Sequence, residues 1–398
     1  MGIRDLNVII KKHASEAMYT IEAIKMSGTR IAVDTSIIMN QKAAIINKNT
    51  VTDTNHVIHD IDRNEMEKDL CREMVLYAMK LMSCGITPVF VFDGKNLPDK
   101  DEVKKQRAEL RTKNLTRIEV LKNSIRKDVL TYDPSELVEL TKLLSTTISL
   151  SYSGRMDIYS VLEIMGIPVI QAPNEADGIC AKLCKEGLVS GVLTNDTDQI
   201  AYGTSLVLTS FKKINGTYCF TCVDSNVVRS SLNMSNEQFV DLCICLQCDY
   251  NHRVKGLGAV KNLKLIRDYG SIDNFPITDY KRLKLPEKTD FKCLNHVRCR
   301  QIFSNSDLEG YPLPDTLNVD RYSVHTSRDY LERVGLASMI GPFIETVNRM
   351  KVPLKLECKT QNVNLDHFNI PVSSETKDNE CFGSSGIRDL LQGCEYAD

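Results

Sequence analysis

No stretch of about 18 consecutive apolar residues occurs in this 398-residue chain, so no membrane-spanning helix is expected. The opening segment MGIRDLNVIIKKH lacks the apolar core of an export signal, which predicts a soluble, intracellular protein. Position 6 holds Leu where myristoylation of Gly2 would need Ser or Thr, and that removes a lipid anchor. Net charge is almost absent: 50 Lys and Arg stand against 52 Asp and Glu, so charge has to be read segment by segment. The Cys219-x-x-Cys222 pair reads as buried thiols and not as half of a zinc site. Most of the 14 cysteines sit inside apolar segments, as buried reduced thiols do. No convincing internal repeat is present.

Acid at the ends of strands is what the chain does have. Around QAPNEADGICAKLCKEGLVSGVLTNDTD the sequence predicts a strand at Ile167–Ile170, a helix from about Asn174 to Lys185 and a strand at Gly191–Thr194. Each following turn carries a carboxylate pair, Glu175 with Asp177 and Asp196 with Asp198. Residues two apart do not share a helix face, so such pairs converge only at irregular strand-to-helix junctions. RIAVDTS predicts a strand ending at Asp34, and ITPVFVFDGK one ending at Asp93. Between them, 35–65 reads as an irregular polar loop and 66–85 as a helix closed by Gly85. Strands alternating with helices imply an α/β fold whose central, mostly parallel sheet is flanked by helices. All these acids then share the carboxyl edge of the sheet. One such aspartate is ordinarily a helix cap or a turn acid. Several on one rim repel one another unless cations sit among them, and hard oxygen ligands suit Mg²⁺ or Mn²⁺.

Residues 95–130 have the opposite character, with eleven Lys and Arg against six Asp and Glu. They predict a helix that buries little of itself, either merely solvated or projecting over the acidic rim to hold phosphates. Lys100 and Arg107 are seven residues apart, close to two helical turns, so one continuous helix would put them on one side. Ser135–Leu150 is a further predicted helix, and Ser151–Gly154 marks a break. Leu206–Val223 predicts a β-hairpin turning at Asn215-Gly216. A helix to about Cys248, the acid Asp249 and the turn Gly256-Leu257-Gly258 come next, then a second helix. Such a turn exposes backbone N–H groups to phosphate, with Lys255, Lys261 and Lys264 beside it. Arg298–Phe303 and Tyr330–Val347 read as helical, and the chain turns polar beyond about Lys351.

MGIRDL, IAVDTS, PVFVFDGK, APNEADGICA, TNDTDQIAYG and CDYNHRVKGLGAVKNL resemble, in the same order, the motifs of flap endonuclease and xeroderma pigmentosum group G-like 5′-nucleases. The likeness spans roughly residues 1–345. It implies a PIN-like nuclease core with a helical arch and a helix–turn–helix DNA-binding element. It also implies a hydrolase cutting DNA at flaps, nicks or junctions in replication, repair or recombination. Alternatives are a 5′–3′ exonuclease or junction resolvase on the same scaffold, or a non-catalytic DNA-binding factor. The implied regions are 1–110 and 156–235 as nuclease core, 111–155 as arch and connector, 236–275 as the DNA-binding element, 276–350 as the remaining nuclease part and 351–398 as a flexible tail. Carried over by motif, Asp34, Asp93, Glu175, Asp177, Asp196, Asp198 and Asp249 are the implied metal acids, holding two Mg²⁺ with Mn²⁺ as substitute. Lys100 and Arg107 are the implied catalytic cations. Gly2, Lys95, Lys104, Lys255, Gly256, Gly258 and Lys261 are implied to contact DNA, with a monovalent cation at the Gly256–Gly258 turn. A monomer acting on branched or nicked DNA is expected, in the nucleus or at a viral replication site.

Departures are equally specific. Asp177 replaces a usual glutamate, Asn40 a stacking tyrosine, Tyr77 a substrate-touching arginine, and Gln247 a glycine two residues before the aspartate of the DY motif. Asn364, within Gln361–Phe368, breaks the sliding-clamp motif, so clamp binding is not expected. Such losses resemble those of divergent relatives carried by large DNA viruses.

Overall fold

The β-branched runs RIAVD and TPVFVF become adjacent parallel strands, and the rest of the molecule is arranged on them. The computed structural model describes residues 2–51, 61–95, 97–127, 133–147, 150–276, 290–314, 317–319 and 328–350. The chain begins with α1 (Leu6–His13), β1 (Met18–Glu22), β2 (Arg30–Asp34), α2 (Thr35–Val51), α3 (Arg63–Ser83) and β3 (Thr87–Phe92). Helices α4 (Asp101–Lys127), α5 (Pro134–Thr147) and α6 (Tyr152–Ile164) come before β4 (Val169–Gln171). Then follow α7 (Ala176–Lys185), β5 (Val192–Leu193), α8 (Asp198–Ala201), β6 (Leu206–Ile214) and β7 (Thr217–Asp224). Helices α9 (Ser225–Leu232), α10 (Asn236–Leu246) and α11 (Ala259–Tyr269) complete the part that matters for the site.

The strand order is β1-β7-β6-β5-β2-β3-β4. From β6 to β4 every neighbour is parallel, and β1, β7 and β6 close that edge as antiparallel strands. Side-chain alternation divides the core by sheet face. Ile31, Val33, Phe90 and Phe92 pack with α3 and α6, whereas Ala32, Val89 and Val91 pack with α7. The hairpin turns where expected, with Asn215 at φ 48° and Gly216 at φ 85°.

Three local expectations are corrected. Thr35–Val51 is a helix and not a loop. It packs against α3 and α5 and buries Ile37, Ile38, Met39, Ala43 and Asn47. Burial on several sides leaves no one-sided apolar period to read. Ser151 is no break but the N-cap of α6, its hydroxyl accepting from the Gly154 N–H at 2.9 Å. Tyr330–Val347 is two helices, Arg328–Arg333 and Ile340–Arg349, because Gly335 turns the backbone to φ 75°. Helix α4 runs unbroken across position 110, and its far half buries Ile118, Leu121 and Ile125 against Leu140 and Leu144 of α5. The polar tail 351–398, including Gln361–Phe368, lies outside the described residues.

Candidate active site

Because β2, β3, β4 and β5 are parallel, their carboxyl ends meet at one edge. Asp34 ends β2 and Asp93 follows β3; Glu175 and Asp177 come just after β4, and Asp196 and Asp198 just after β5. Asp249 enters from the loop behind α10.

The cap reading can be tested residue by residue. Glu175 occupies the N-cap position of α7 but makes no capping hydrogen bond. Its carboxylate instead accepts from the Tyr250 hydroxyl at 2.8 Å and pairs with Lys100 Nζ at 2.9 Å. Asp93 does cap a helix, but a distant one, accepting from the Ala176 N–H at the start of α7 at 2.8 Å and from the Ser36 hydroxyl. Asp34 accepts from the Thr194 hydroxyl at 3.0 Å, and Asp196 from the Asp198 N–H at 3.0 Å. Asp177 accepts from Gln199 Nε2 at 3.0 Å. Asp198 Oδ1 is buried and finds no hydrogen-bond partner among the described residues.

The electrostatics follow from this crowding. Burial, with Asp93 and Asp196 nearby, pushes the Asp34 carboxyl up to about 7. Burial and neighbouring carboxylates likewise hold Asp177 and Asp198 well above the usual carboxylate range, and burial raises Asp196. Against them stands Lys100. Burial opposes its charge, but Glu175 and Asp177 outweigh that and hold it firmly protonated. Its ammonium also lies 3.5 Å from Asp249 and 4.8 Å from the centre of the Tyr250 ring.

Do these residues fit divalent cations? The donors are all carboxylates, several are driven toward protonation, and one buried oxygen lacks a partner. That is the signature of a hard-cation site. Among the described residues no three His, Cys, Asp or Glu side chains form a ready-made cage. Lys100 pairs with Glu175 and Asp249 instead, so these side chains would have to part from it to share an ion. Cys219 and Cys222 offer no alternative, since residues three apart on strand β7 face opposite sides of the sheet.

Lys100 ends a short 3₁₀ turn, Pro98–Lys100, that runs directly into α4, and Arg107 lies about two turns further on. Both side chains meet Asp249 on one side, as the spacing implied, Arg107 Nη2 at 3.0 Å. Two further contacts tie the foot of the arch to the body. Arg298 reaches Asp99 at 3.1 Å, and His252 meets Glu102 at 2.9 Å. Lys95 is exposed and Lys104 half-buried.

Gly2 sits against the acid pair: at φ 84°, an added Cβ would fall 2.0 Å from Asp196 Oδ1. In the turn before α11 the two glycines differ. Gly256 needs its freedom at φ 89°, whereas Gly258 is the extended N-cap, where a Cβ would come no nearer than 3.6 Å to Arg253. Lys261 donates to the Gly256 carbonyl at 3.1 Å, and Lys255 lies exposed beside it. Asn40 is exposed on α2. Gln247 takes φ 92°, a left-handed conformation imposed on a side chain.

Sequence reasoning passed over Tyr250, Thr194, Ser36 and Gln199, which hold Glu175, Asp34, Asp93 and Asp177 in place. Each stands within two residues of an acid in sequence, and that adjacency was the available signal.

Comparison with known proteins bears on the same segments. Residues 1–114 match the XPG N-terminal domain and residues 166–249 the XPG I-region. Flap endonuclease 1 of Glycine max is 31% identical over 307 residues, covering 73% of this chain and 73% of that protein. That of Zea mays is 32% identical over 286 residues, covering 69% and 68%. The Cryptosporidium muris flap endonuclease 1 is 30% identical over 317 residues, and the chain spans 63% of its length. Among solved structures, the catalytic core of Rad2 in complex with DNA substrate aligns with TM-score 0.57 at 20% identity, covering 86% of this chain and all of that one. Flap endonuclease-1 from Methanococcus jannaschii aligns with TM-score 0.54 at 19% identity, covering 83% and 96%. At such identities the two structures establish the fold alone.

Proposed function

The chain belongs to the XPG and flap endonuclease family of nucleases, and on that premise we propose that it cuts DNA phosphodiesters at 5′ flaps, nicks or junctions with the help of divalent cations. The observation that carries this reading is the rim itself. Seven carboxylates from four strand ends and one loop face a lysine and an arginine brought in by the arch. The relatives that this chain matches at 31–32% identity are flap endonucleases by name, which supports a branched DNA substrate here.

Glu175, Asp177, Asp196 and Asp198 would hold two Mg²⁺ ions, with Asp34, Asp93 and Asp249 beside them. When bound, such ions activate a water and stabilise the leaving oxygen of an in-line displacement. The chain's own residues do the rest. Lys100 and Arg107, which pair with Glu175 and Asp249 at the rim, would lie beside the scissile phosphate and offset the charge that builds on it. Tyr250, Thr194, Ser36 and Gln199 keep the carboxylates aimed at one point. The turn from Lys255 to Lys261 offers backbone N–H groups and ammonium groups to the duplex phosphates. The protein acts as a monomer on branched or nicked DNA, in replication or repair.

Cleavage of a 5′-flap duplex tests this reading. Product should form with Mg²⁺, disappear with EDTA, and be lost in Asp196→Ala while that variant still binds the flap. Cleavage by Asp196→Ala at more than about a hundredth of the wild-type rate removes Asp196 from the chemistry.

A further inference from the structure

The resemblance to flap endonucleases implies a monovalent cation at the Gly256–Gly258 turn, and backbone carbonyls hold such an ion by replacing its water. The residues at this turn do not fit one. Four of its carbonyls already accept hydrogen bonds from the chain. Val254 accepts from the Leu257 N–H at 3.1 Å, and Gly258 from the Asn262 N–H at 2.9 Å. The other two face positive charge. Gly256 accepts from Lys261 Nζ at 3.1 Å, and Leu257 from Arg253 Nε at 2.6 Å. A potassium ion bound to those carbonyls would stand beside an ammonium and a guanidinium, and like charges repel at such range.

Arg253 is held by more than this one bond. Its side chain is 18% exposed, and its Nη1 donates to Asp5 at 2.9 Å. Asp5 takes φ 59° at the head of α1 and makes no capping hydrogen bond there, so its carboxylate serves the guanidinium instead. Two of the three nitrogens are thus fixed by the chain. The third, Nη2, has no hydrogen-bond partner among the described residues. It stands on the side of Gly258, whose added Cβ would fall 3.6 Å from it. Gly258 is the N-cap of α11, with Lys255 and Lys261 to either side in sequence.

A fixed guanidinium can bind a carbonyl with one edge and phosphate oxygens with another, which a bare ion does only by shedding water. We propose that Arg253 is a built-in replacement for the monovalent cation, its Nε holding the turn and its Nη2 meeting a phosphate of the duplex. The inference rests on reading this turn as the duplex grip, and it makes that grip indifferent to which monovalent ion is in solution. Ionic strength still weakens binding through released counterions, but potassium has no special place.

The test is fluorescence anisotropy of a labelled blunt duplex with the intact chain in EDTA, in potassium or tetramethylammonium chloride at equal ionic strength. Tetramethylammonium screens charge as potassium does but is too large to sit among carbonyls. Wild-type affinity should agree in the two salts within about twofold. Arg253→Met, which keeps the stem and loses the donors, should weaken binding about tenfold and flatten the salt dependence by about one counterion. Asp5→Gly removes the anchor, leaves the guanidinium and takes φ 59° freely, so it should weaken binding less than Arg253→Met. The comparison of salts needs no variant, so a folding defect in either one does not shield the proposal. A wild-type preference for potassium beyond that margin overturns it, as does wild-type affinity in Arg253→Met. An equal loss in Asp5→Gly overturns it too, making Arg253 a strut to α1. Absence of duplex binding in both salts would sink the duplex grip itself and this inference with it, whereas binding that needs potassium sinks the inference alone.

Discussion

Replacing Lys100 by Met removes one charge and keeps most of the volume, and its two consequences depend on metal in opposite ways. Lys100 and Glu175 side chains are each 12% exposed, so their 2.9 Å contact lies between a surface pair, worth about 0–1 kcal/mol, and a buried one, whose breakage costs about 3–5 kcal/mol. Asp249 at 3.5 Å and the buried Asp177 and Asp198 add carboxylates that would lose the same counter-charge. In EDTA, Lys100→Met should therefore lose about 1–3 kcal/mol of unfolding free energy, read from urea denaturation. With saturating Mg²⁺ the ions supply positive charge to the same carboxylates, and the gap to wild type should narrow. Cleavage behaves differently. If Lys100 offsets charge on the phosphate in the transition state, single-turnover cleavage at saturating protein should fall about 10²–10³-fold, as for the loss of a preorganised donor. Flap affinity should change much less, because the other lysines and arginines of the arch remain. A wild-type single-turnover rate together with the stability loss would refute the catalytic role and leave Lys100 as a counter-ion only.

Arg107→Ala should lower the single-turnover rate about ten- to a hundredfold, less than Lys100→Met because Arg107 is 56% exposed and, among the described residues, pairs with Asp249 alone. A weaker affinity with a normal rate on saturated enzyme would make it one phosphate contact among many. Gln247→Gly should stabilise the protein by about 1 kcal/mol, since Gln247 holds φ 92° where glycine carries no Cβ penalty; an unchanged denaturation midpoint would show the strain is not there. In EDTA the melting temperature should rise as pH falls from 8 toward 6. Asp34, pushed up to about 7, then binds a proton in the folded chain that the unfolded chain, near 4, does not. Saturating Mg²⁺ should flatten that rise by taking the proton's place, and a melting temperature flat with pH in EDTA would contradict the raised carboxyls.

The amino-acid sequence determined the parts of this protein that local chemistry controls. Strands at Arg30–Asp34 and Thr87–Phe92, the Asn215-Gly216 turn and the acid pairs after β4 and β5 follow from patterns a few residues long. Parallel topology then gathers those acids on one edge, and the sequence already implied that. It could not show helix Thr35–Val51, because a helix wedged between neighbours buries several faces and leaves no period to read. Nor could it show that Glu175 caps nothing, that Lys100 pairs with it across 75 residues, or that Tyr250 steadies both. Arg253 likewise joins Asp5 to the Leu257 carbonyl only once α1 lies beside the turn. Spacing along the chain fixes which side chains share an element. Which charges meet across elements, at what burial and against which partner, is decided by packing alone.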